Sequence, residues 1–137
     1  MKYGSLILEK KEYVYLKHIL NITGYQSDYE IQKCLAKLTE ELKTAQIVNE
    51  EEMPYDIIRF YSKVSVVFEN GLEKTVQIVI PRDKDMNKSK ISIITPMGTA
   101  LIGYSTGDIV TWGFPTGKQN LQITNVIQEN AINRIEI

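Results

Sequence analysis

The chain has 137 residues and a mass of 15.7 kDa, the size of one domain or of one domain with a helical appendage, which excludes a large multidomain machine. Hydrophobic residues make up 43% and charged residues 24% of the sequence, a composition typical of globular proteins and not of disordered chains. A formal net charge of −1 supplies no positive field that could hold a phosphate backbone. We therefore expect no autonomous nucleic-acid binding.

The cysteine content and the N-terminus point to a cytoplasmic protein. With Cys34 alone, no internal disulfide and no thiolate zinc cluster can form, which suits a reducing compartment. The apolar stretch at residues 6–8 is too short for the core of a signal peptide. No run approaches the roughly 20 apolar residues of a membrane span. We expect a soluble intracellular protein with no membrane partner.

The first half of the chain has helical periodicity. Residues 27–48 form the strongest predicted helix, because apolar residues recur at steps of three and four. Its start, Ser27 to Glu30, fits a capping box. A shorter helix is predicted over residues 9–20, which at 1.5 Å per residue is about 18 Å long. Turn-forming residues at 21–26 separate the two segments, so we predict a short antiparallel helical hairpin.

After residue 53 the apolar pattern changes to a period of two, which is typical of strands. Asn70-Gly71 is a strong hairpin signal, a second hairpin is predicted around Thr116-Gly117, and Pro96 opens a short helix over residues 97–103. The predicted strands cover residues 64–68, 75–80, 90–95, 108–114 and 118–128. We predict an α+β fold, with a helical hairpin over residues 1–52 and an antiparallel sheet domain with one short helix over residues 53–137.

Candidate catalytic and metal-binding residues are few. The single histidine, His18, lies on the short helix, and Cys34 lies on the next one, so neither forms a nucleophile and base pair. The acidic runs at residues 50–52 and 83–85 are interpreted as solvated linker charge and not as metal ligands. No glycine-rich phosphate-binding motif occurs. We expect no cofactor, no metal and no enzymatic activity.

Several aromatic residues could line a pocket. Trp112 and Phe114 alternate on one predicted strand, and Tyr61, Phe68 and Tyr104 lie within the same half of the chain. Aromatic side chains also fit the half-buried surface of a small sheet. We favour the interpretation that they belong to the core and the sheet edge.

The segment from residue 95 to residue 108 predicts a rigid loop, helix and loop. Gly98 and Ala100 are small enough for close packing next to Pro96. Gly103 can end the helix in a left-handed conformation, and Gly107 precedes the aspartate that leads into the next strand.

This segment resembles the signature of the C-terminal domain of Gre-type transcript-cleavage factors: a Thr-Pro pair, small and aliphatic residues, a glycine, a spacer and Gly-Asp before a strand. Two upstream stretches, LKTAQIV at residues 42–48 and EEMP at residues 51–54, are similar to the hinge region of the Rnk-type regulators of nucleoside diphosphate kinase, relatives of those factors. The resemblance covers roughly residues 6 to 128.

The resemblance implies an FKBP-like C-terminal domain behind a short N-terminal coiled coil, and docking on bacterial RNA polymerase near its secondary channel. Thr95, Pro96 and Met97 match the loop that Gre-type factors present to the polymerase, with Gly98 beside them. Ile94 stands where that family often has a polar or acidic residue. On this basis the partner-binding residues are expected at positions 95–98, with Pro96 and Met97 forming an exposed knuckle.

In Gre-type factors, carboxylates at the tip of a long coiled coil help to hold a magnesium ion for transcript cleavage. The tip here carries Asp28 and Glu30, which the start of a helix already explains. Arms of about 12 and 20 residues are also too short to project as far as the longer hairpin. We therefore expect a monomeric regulator that competes with Gre-type factors without stimulating cleavage. A peptidyl-prolyl isomerase, or an interaction module that affects nucleoside diphosphate kinase levels, remains an alternative.

Overall fold

The structure, a computed structural model, describes residues 1–23, 29–114 and 117–129, without the side chains at positions 23, 112–114 and 117–118. The α-helices of this part are α1 (Lys10–Thr23), α2 (Tyr29–Leu42) and α3 (Pro96–Leu101). The strands are β1 (Ile7–Glu9), β2 (Gln46–Val48), β3 (Lys63–Phe68), β4 (Glu73–Val79), β5 (Lys90–Ser92), β6 (Ile109–Phe114) and β7 (Gly117–Ile127). Short 3₁₀ turns lie at Glu50–Glu52, Pro81–Asp83 and Met86–Lys88. The predicted α+β class is confirmed.

The strands form a pair and a larger sheet. β1 and β2 pair in parallel, and the five-stranded sheet has the order β5-β4-β3-β7-β6. β4 and β5 are parallel, so the prediction of an antiparallel sheet is wrong at this edge. The chain leaves β4 through two 3₁₀ turns and returns in the same direction, which a hairpin cannot do.

Both predicted hairpins of the sheet are present. β3 and β4 are antiparallel around Asn70-Gly71, where Gly71 has a φ of 85° and the side-chain oxygen of Asn70 accepts a hydrogen bond from the Leu72 amide. β6 and β7 are antiparallel as well. The turn residues 115 and 116 lie outside the described part of the chain.

The second helix is shorter than predicted. α2 ends at Leu42, and the predicted C-terminal turns contain instead a tight turn followed by β2. The Gln46 amide donates to the carbonyl of Leu6, which begins the pairing with β1. Helical periodicity continues through Ala45, but β-branched Ile47 and Val48 pair with a strand some 40 residues earlier, a partner that a local pattern does not reveal. The predicted capping box also includes Ser27, outside the described residues.

One core joins the helices to the sheet. Side chains from α1, α2, α3, β3 and β7 form a single buried cluster, whose members include Leu16, Leu38, Leu42, Val64, Val66, Leu101, Leu121 and Ile123. α2 packs against α3, and α3 packs against β6. The helices therefore rest on the apolar face of the sheet, and the opposite face carries exposed or half-buried side chains such as Lys63, Ser65 and Thr124. No helix in the described ranges is long and apolar enough to span a membrane.

Candidate functional site

The loop before α3 is held by its own threonine. The Thr95 hydroxyl donates to the carbonyl of Ser92 at 2.8 Å and accepts from the Gly98 amide at 3.0 Å, so Thr95 is the N-cap of α3. Its carbonyl accepts the Thr99 amide and hydroxyl, both at 3.0 Å. Pro96 occupies the first helical position, where a missing amide hydrogen costs nothing. The side chain and backbone of one residue thus fix both ends of this turn.

Gly98 allows α3 to approach the preceding strand. A Cβ atom at this position would lie 2.6 Å from the carbonyl oxygen of Ser92 and 2.9 Å from that of Ile93, closer than a carbon atom can come. Met97 is only 6% exposed and belongs to the core, so the expectation that it forms an exposed knuckle with Pro96 is wrong. Helical geometry turns position 97 toward the sheet while position 96 faces outward. Met97 and Gly98 therefore support the loop from its buried side.

The turns after α3 have the conformations that their glycines predict. Gly103 has a φ of 83°, and its amide donates to the carbonyl of Ile58 at 3.0 Å. Gly107 has a φ of 92°, and the following Asp108 accepts hydrogen bonds from the Ser105 amide and hydroxyl, both at 3.0 Å. Left-handed φ values are readily available to glycine alone. The predicted rigid loop, helix and loop is confirmed.

The outward side of this unit is small and uncharged. Ile94, Thr95, Pro96 and Ala100 are half-buried, whereas Thr99 and Leu101 are buried. Pro96 and Ala100 are four residues apart and therefore lie on the same side of α3. We call these four partly exposed residues the α3 face. It presents a fixed apolar shape with one hydroxyl group.

The two longer helices form an arm whose far end is exposed. At 1.5 Å per residue, α1 and α2 are each about 21 Å long. The buried residues of α2, Leu35, Leu38 and Leu42, begin at the middle of the helix and continue to its C-terminal end. At the other end Ile22 and Tyr29 are 61% and 66% exposed, and Glu30 is half-buried in the first turn of α2. The other predicted tip residue, Asp28, lies outside the described residues.

A buried arginine joins the base of the arm to the sheet domain. Arg59 is 5% exposed, and its Nε and Nη2 atoms donate to Glu12 Oε2 of α1 at 2.9 and 2.6 Å. Its Nη1 and Nη2 atoms donate to the two carboxylate oxygens of Glu50 at 2.6 and 2.9 Å. Burial alone would lower the pKa of Arg59, but the hydrogen bonds to Glu50 and Glu12 outweigh it and raise the pKa above its ordinary value. The guanidinium group is therefore permanently charged.

This arginine cluster was not predicted from the sequence. A visible signal was present, because Arg59 interrupts the apolar run Ile57, Ile58 and Phe60, and a charge at such a position needs a partner. The interpretation of the acidic run as solvated linker charge is wrong for Glu50, which forms an ion pair with Arg59 at 2.6 Å. The other partner, Glu12, lies 47 positions before Arg59. Sequence spacing alone does not identify contacts between residues so far apart.

Two further contacts hold the arm. The Tyr104 hydroxyl donates to a carboxylate oxygen of Glu41 on α2, and the Tyr15 ring of α1 meets the Phe60 ring edge to face with centroids 5.8 Å apart. Burial and the Glu41 hydrogen bond raise the pKa of Tyr104 above its ordinary value. Tyr104 is a core residue, which agrees with the interpretation of the aromatics as core.

The remaining candidates form no chemical site. His18 is exposed on α1, and Cys34, the single cysteine of the sequence, is half-buried on α2. Within residues 1–23, 29–114 and 117–129, no three side chains of His, Cys, Asp or Glu come together as metal ligands would. The side chains of Trp112 and Phe114 lie outside the part of the chain that the structure describes.

The chain is similar to curated transcription elongation factors and to a curated regulator of nucleoside diphosphate kinase. It is 31% identical to transcription elongation factor GreA of Rhodospirillum rubrum over 97 residues, which cover 70% of this chain and 62% of the relative. It is 34% identical to the regulator of nucleoside diphosphate kinase of Escherichia coli K12 over 83 residues, 58% of this chain and 60% of the relative. The matches thus span about three fifths of the length of these relatives.

A solved structure and a family model agree with these relatives. The prokaryotic transcription elongation factor GreA/GreB from Nitrosomonas europaea superposes with a TM-score of 0.72 at 28% identity, covering 91% of this chain and 99% of that one. The family model described as "Transcription elongation factor, GreA/GreB, C-term" matches residues 53–128. Together these findings confirm the predicted resemblance to GreA/GreB factors and to Rnk-type regulators, and they agree with a non-enzymatic role. The chain belongs to the GreA/GreB family of transcription elongation factors.

Proposed function

We propose that this protein is a transcription regulator that binds bacterial RNA polymerase near its secondary channel, competes there with Gre-type factors, and does not stimulate transcript cleavage. It acts as a cytoplasmic monomer without a cofactor. Residues 53–128, the part that matches the family, contain the complete α3 unit. This coincidence of a family region with a rigid, partly exposed α3 face is the observation that carries the proposal.

The α3 face suits docking on a protein partner. Its loop is fixed by the Thr95 cap and by the close approach at Gly98, so little conformational freedom is lost on binding. Its exposed groups are apolar or neutral, a composition that favours contact with a protein and not with a phosphate backbone. We assign polymerase contact to Thr95 and Pro96, with Ile94 and Ala100 beside them, and a supporting role to Met97 and Gly98.

The length of the arm supports competition without cleavage. None of residues 29–34 of α2 is buried, and the buried part of that helix begins at Leu35. The segment of α2 beyond the core is therefore about 9 Å long. A carboxylate on so short a projection stays near the protein's own surface, whichever acidic residues the tip carries. We propose two domains, a helical hairpin over residues 1–52 and an FKBP-like domain over residues 53–137. In this arrangement the hairpin is a short projection from the domain that docks on the polymerase.

A binding experiment tests the docking part of the proposal. Core RNA polymerase is immobilised, and the parent chain is compared with Ala100→Glu, which places a charge on the α3 face, and with Pro96→Ala. Gln122→Glu adds the same charge on the exposed side of β7 and serves as the matched control. We expect at least a tenfold loss of affinity for Ala100→Glu, a smaller loss for Pro96→Ala, and parental affinity for Gln122→Glu. Absence of binding by the parent chain contradicts the proposal, and so does equal binding by all four proteins.

A second experiment separates competition from cleavage. Backtracked elongation complexes are incubated with a Gre-type factor and increasing amounts of this protein, and release of short RNA is measured. We expect the protein alone to release no RNA and to suppress release by the Gre-type factor. Cleavage by the protein alone, or no suppression at saturating protein, contradicts this part.

One relative supports a second candidate function. The Escherichia coli relative is named a regulator of nucleoside diphosphate kinase, so control of that kinase is a second candidate function. Affinity purification from cells distinguishes the two, because a direct regulator would retain the kinase without the polymerase. A peptidyl-prolyl isomerase has less support, because Tyr104, one of the aromatic residues considered for its pocket, is buried in the core and donates to Glu41.

A further inference from the structure

Arg59 connects three segments that are far apart in the sequence. It lies just before β3, Glu12 lies in the first turns of α1, and Glu50 lies in the 3₁₀ turn after β2. Four hydrogen bonds of the guanidinium group run to these two carboxylates at 2.6 to 2.9 Å. The carboxylates differ in setting, since the side chain of Glu12 is 7% exposed and that of Glu50 is 57% exposed. The contact between Arg59 and Glu12 is thus the buried half of the cluster.

The backbone of Arg59 is itself fixed to the sheet. Its amide donates to the Ser62 hydroxyl oxygen at 2.8 Å, and the Ser62 amide donates to the Arg59 carbonyl at 3.1 Å. The Ser62 hydroxyl donates to the side-chain oxygen of Gln128, which follows β7, at 2.6 Å. The Gln128 amide group donates to the carbonyl of Ile57 at 2.6 Å. A continuous set of hydrogen bonds therefore leads from α1 to the residues that directly precede β3 and directly follow β7.

The apolar contacts at the base of the arm specify its direction less strictly. Leu16 and Leu38 pack in the core, and Tyr15 meets Phe60 edge to face, but apolar contacts of this kind are compatible with small rotations of a helix. A planar guanidinium group shared by two carboxylates is satisfied in a much narrower range of positions. Buried ion pairs are also weak contributors to stability compared with apolar replacements, and their best-attested use is to fix register.

We infer that Arg59 is a positioning residue: through Glu12 it sets the direction of the helical arm relative to the sheet domain and its α3 face. This role rests on the proposed function and extends it. When the α3 face is docked on the polymerase, the angle of the arm determines which part of the channel entrance the arm covers. The geometry itself is a property of the free protein. It can therefore be tested without the polymerase.

The test measures a distance between the arm and the sheet domain. Cys34 is the only cysteine, so Cys34→Ser provides a background into which Asn21→Cys on α1 and Asn125→Cys on β7 introduce two exposed spin-label sites. Electron spin resonance then gives the distribution of distances between the labels. A second pair, Met86→Cys with Asn125→Cys, reports on the sheet domain alone and serves as the control.

Three variants separate charge from geometry. Glu12→Gln removes the buried carboxylate charge, Glu50→Gln makes the same change at the exposed partner, and Arg59→Lys keeps the positive charge but cannot reach two carboxylates with one planar group. We expect the arm-to-sheet distribution to shift or broaden beyond the parental width for Glu12→Gln and Arg59→Lys, and much less for Glu50→Gln. The control pair should keep its parental distribution in all three.

The outcomes decide the inference in either direction. A parental arm-to-sheet distribution in both Glu12→Gln and Arg59→Lys overturns it, and so does an equal broadening of the control pair, which would make Arg59 a general stability residue. If Glu12→Gln does not fold, Arg59→Lys alone decides. Failure of the parent chain to bind polymerase would refute the proposed function and leave these distances unaffected, so the two failures are distinguishable.

Discussion

The α3 unit and the arm are attached to the same sheet by different kinds of contact. α3 is held through backbone groups close to it in sequence: the Thr95 cap reaches Ser92, and Gly98 allows approach to the carbonyls of Ser92 and Ile93. The arm is held through side chains distant in sequence, among them the carboxylates of Glu12 and Glu41. The first attachment is local and neutral, and the second is long-range and depends on charge.

This difference predicts how each region responds to change. A local, sterically defined turn is altered by added volume and is insensitive to pH. A set of carboxylates bound to buried donors is altered by loss of a charge or of a proton, because an unpaired buried charge is costly. Substitutions and pH titrations therefore act on the two regions separately.

The largest effect is expected for Arg59→Met. The substitution leaves the Glu12 carboxylate, 7% exposed, without its arginine, and breaking a buried pair in this way lowers the free energy of unfolding by about 4 kcal/mol. Urea unfolding followed by circular dichroism measures the change. The double variant Arg59→Met with Glu12→Leu is the control, because an apolar replacement of both partners restores part of the loss. A double variant no more stable than Arg59→Met would show that the buried charge is not the cause.

Gly98→Ala tests the steric attachment of α3. The added Cβ atom would lie 2.6 Å from a backbone oxygen that cannot rotate away, so we expect a loss of about 2 kcal/mol in the free energy of unfolding. Gly4→Ala is the matched control: its φ is 82° but no atom lies within 4 Å of the new carbon, so only backbone strain of about 1 kcal/mol remains. The same urea titrations measure both. A Gly98→Ala variant as stable as the parent chain would mean that close approach contributes nothing at Gly98.

Much of the α3 unit could be predicted from sequence because its contacts are local. Pro96 has a fixed φ that identifies a helix start, and Gly103 and Gly107 can adopt the positive φ of a left-handed turn. The structure contains all three features. Asn70-Gly71 identified the first sheet hairpin in the same way. The exposure of Met97 was predicted wrongly, because the sequence of so short a helix does not indicate which side faces the sheet.

The attachments of the arm could not be predicted because they depend on partners far along the chain. The helix over residues 27–48 was predicted too long because β1, the partner of β2, lies near the N-terminus. The parallel edge formed by β4 and β5 was missed because alternation shows that a segment is a strand but not the direction of its neighbour. Arg59 was visible as a charge in an apolar run, but its partners Glu12 and Glu50 were identified only in three dimensions.

An alkaline titration tests the stability contributed by the hydrogen bond between Tyr104 and Glu41. Because burial and this hydrogen bond raise the pKa of Tyr104 in the folded protein, the stability that its hydroxyl supplies is complete below about pH 10, the pKa in the unfolded chain, and is lost as the pH rises further. We expect Tyr104→Phe to lower the free energy of unfolding by about 1 kcal/mol at neutral pH. Thermal unfolding of both proteins at several alkaline pH values measures the difference. Subtraction cancels the other tyrosines, and a difference that does not shrink above about pH 10 would contradict this assignment.

The smallest effect is expected at Asp56, which holds the segment leading into β1 and the arm. Burial alone would raise the pKa of Asp56, but hydrogen bonds from the Lys2 ammonium and the Tyr3 hydroxyl outweigh it and lower the pKa. A carboxyl group with a lowered pKa stabilises the fold above its unfolded pKa of about 3.9 and loses that contribution as the pH falls through its folded value. Asp56→Asn should therefore remove part of the loss of thermal stability that the parent chain shows between about pH 5 and about pH 2. The change at neutral pH should be small, because the Lys2 side chain is half-exposed and its ion pair with Asp56 is screened by solvent. Glu73→Gln removes an exposed carboxyl group from β4 and serves as the control. An identical acid profile for Asp56→Asn and the parent chain would show that this exposed charged contact contributes no stability, unlike the buried one at Arg59.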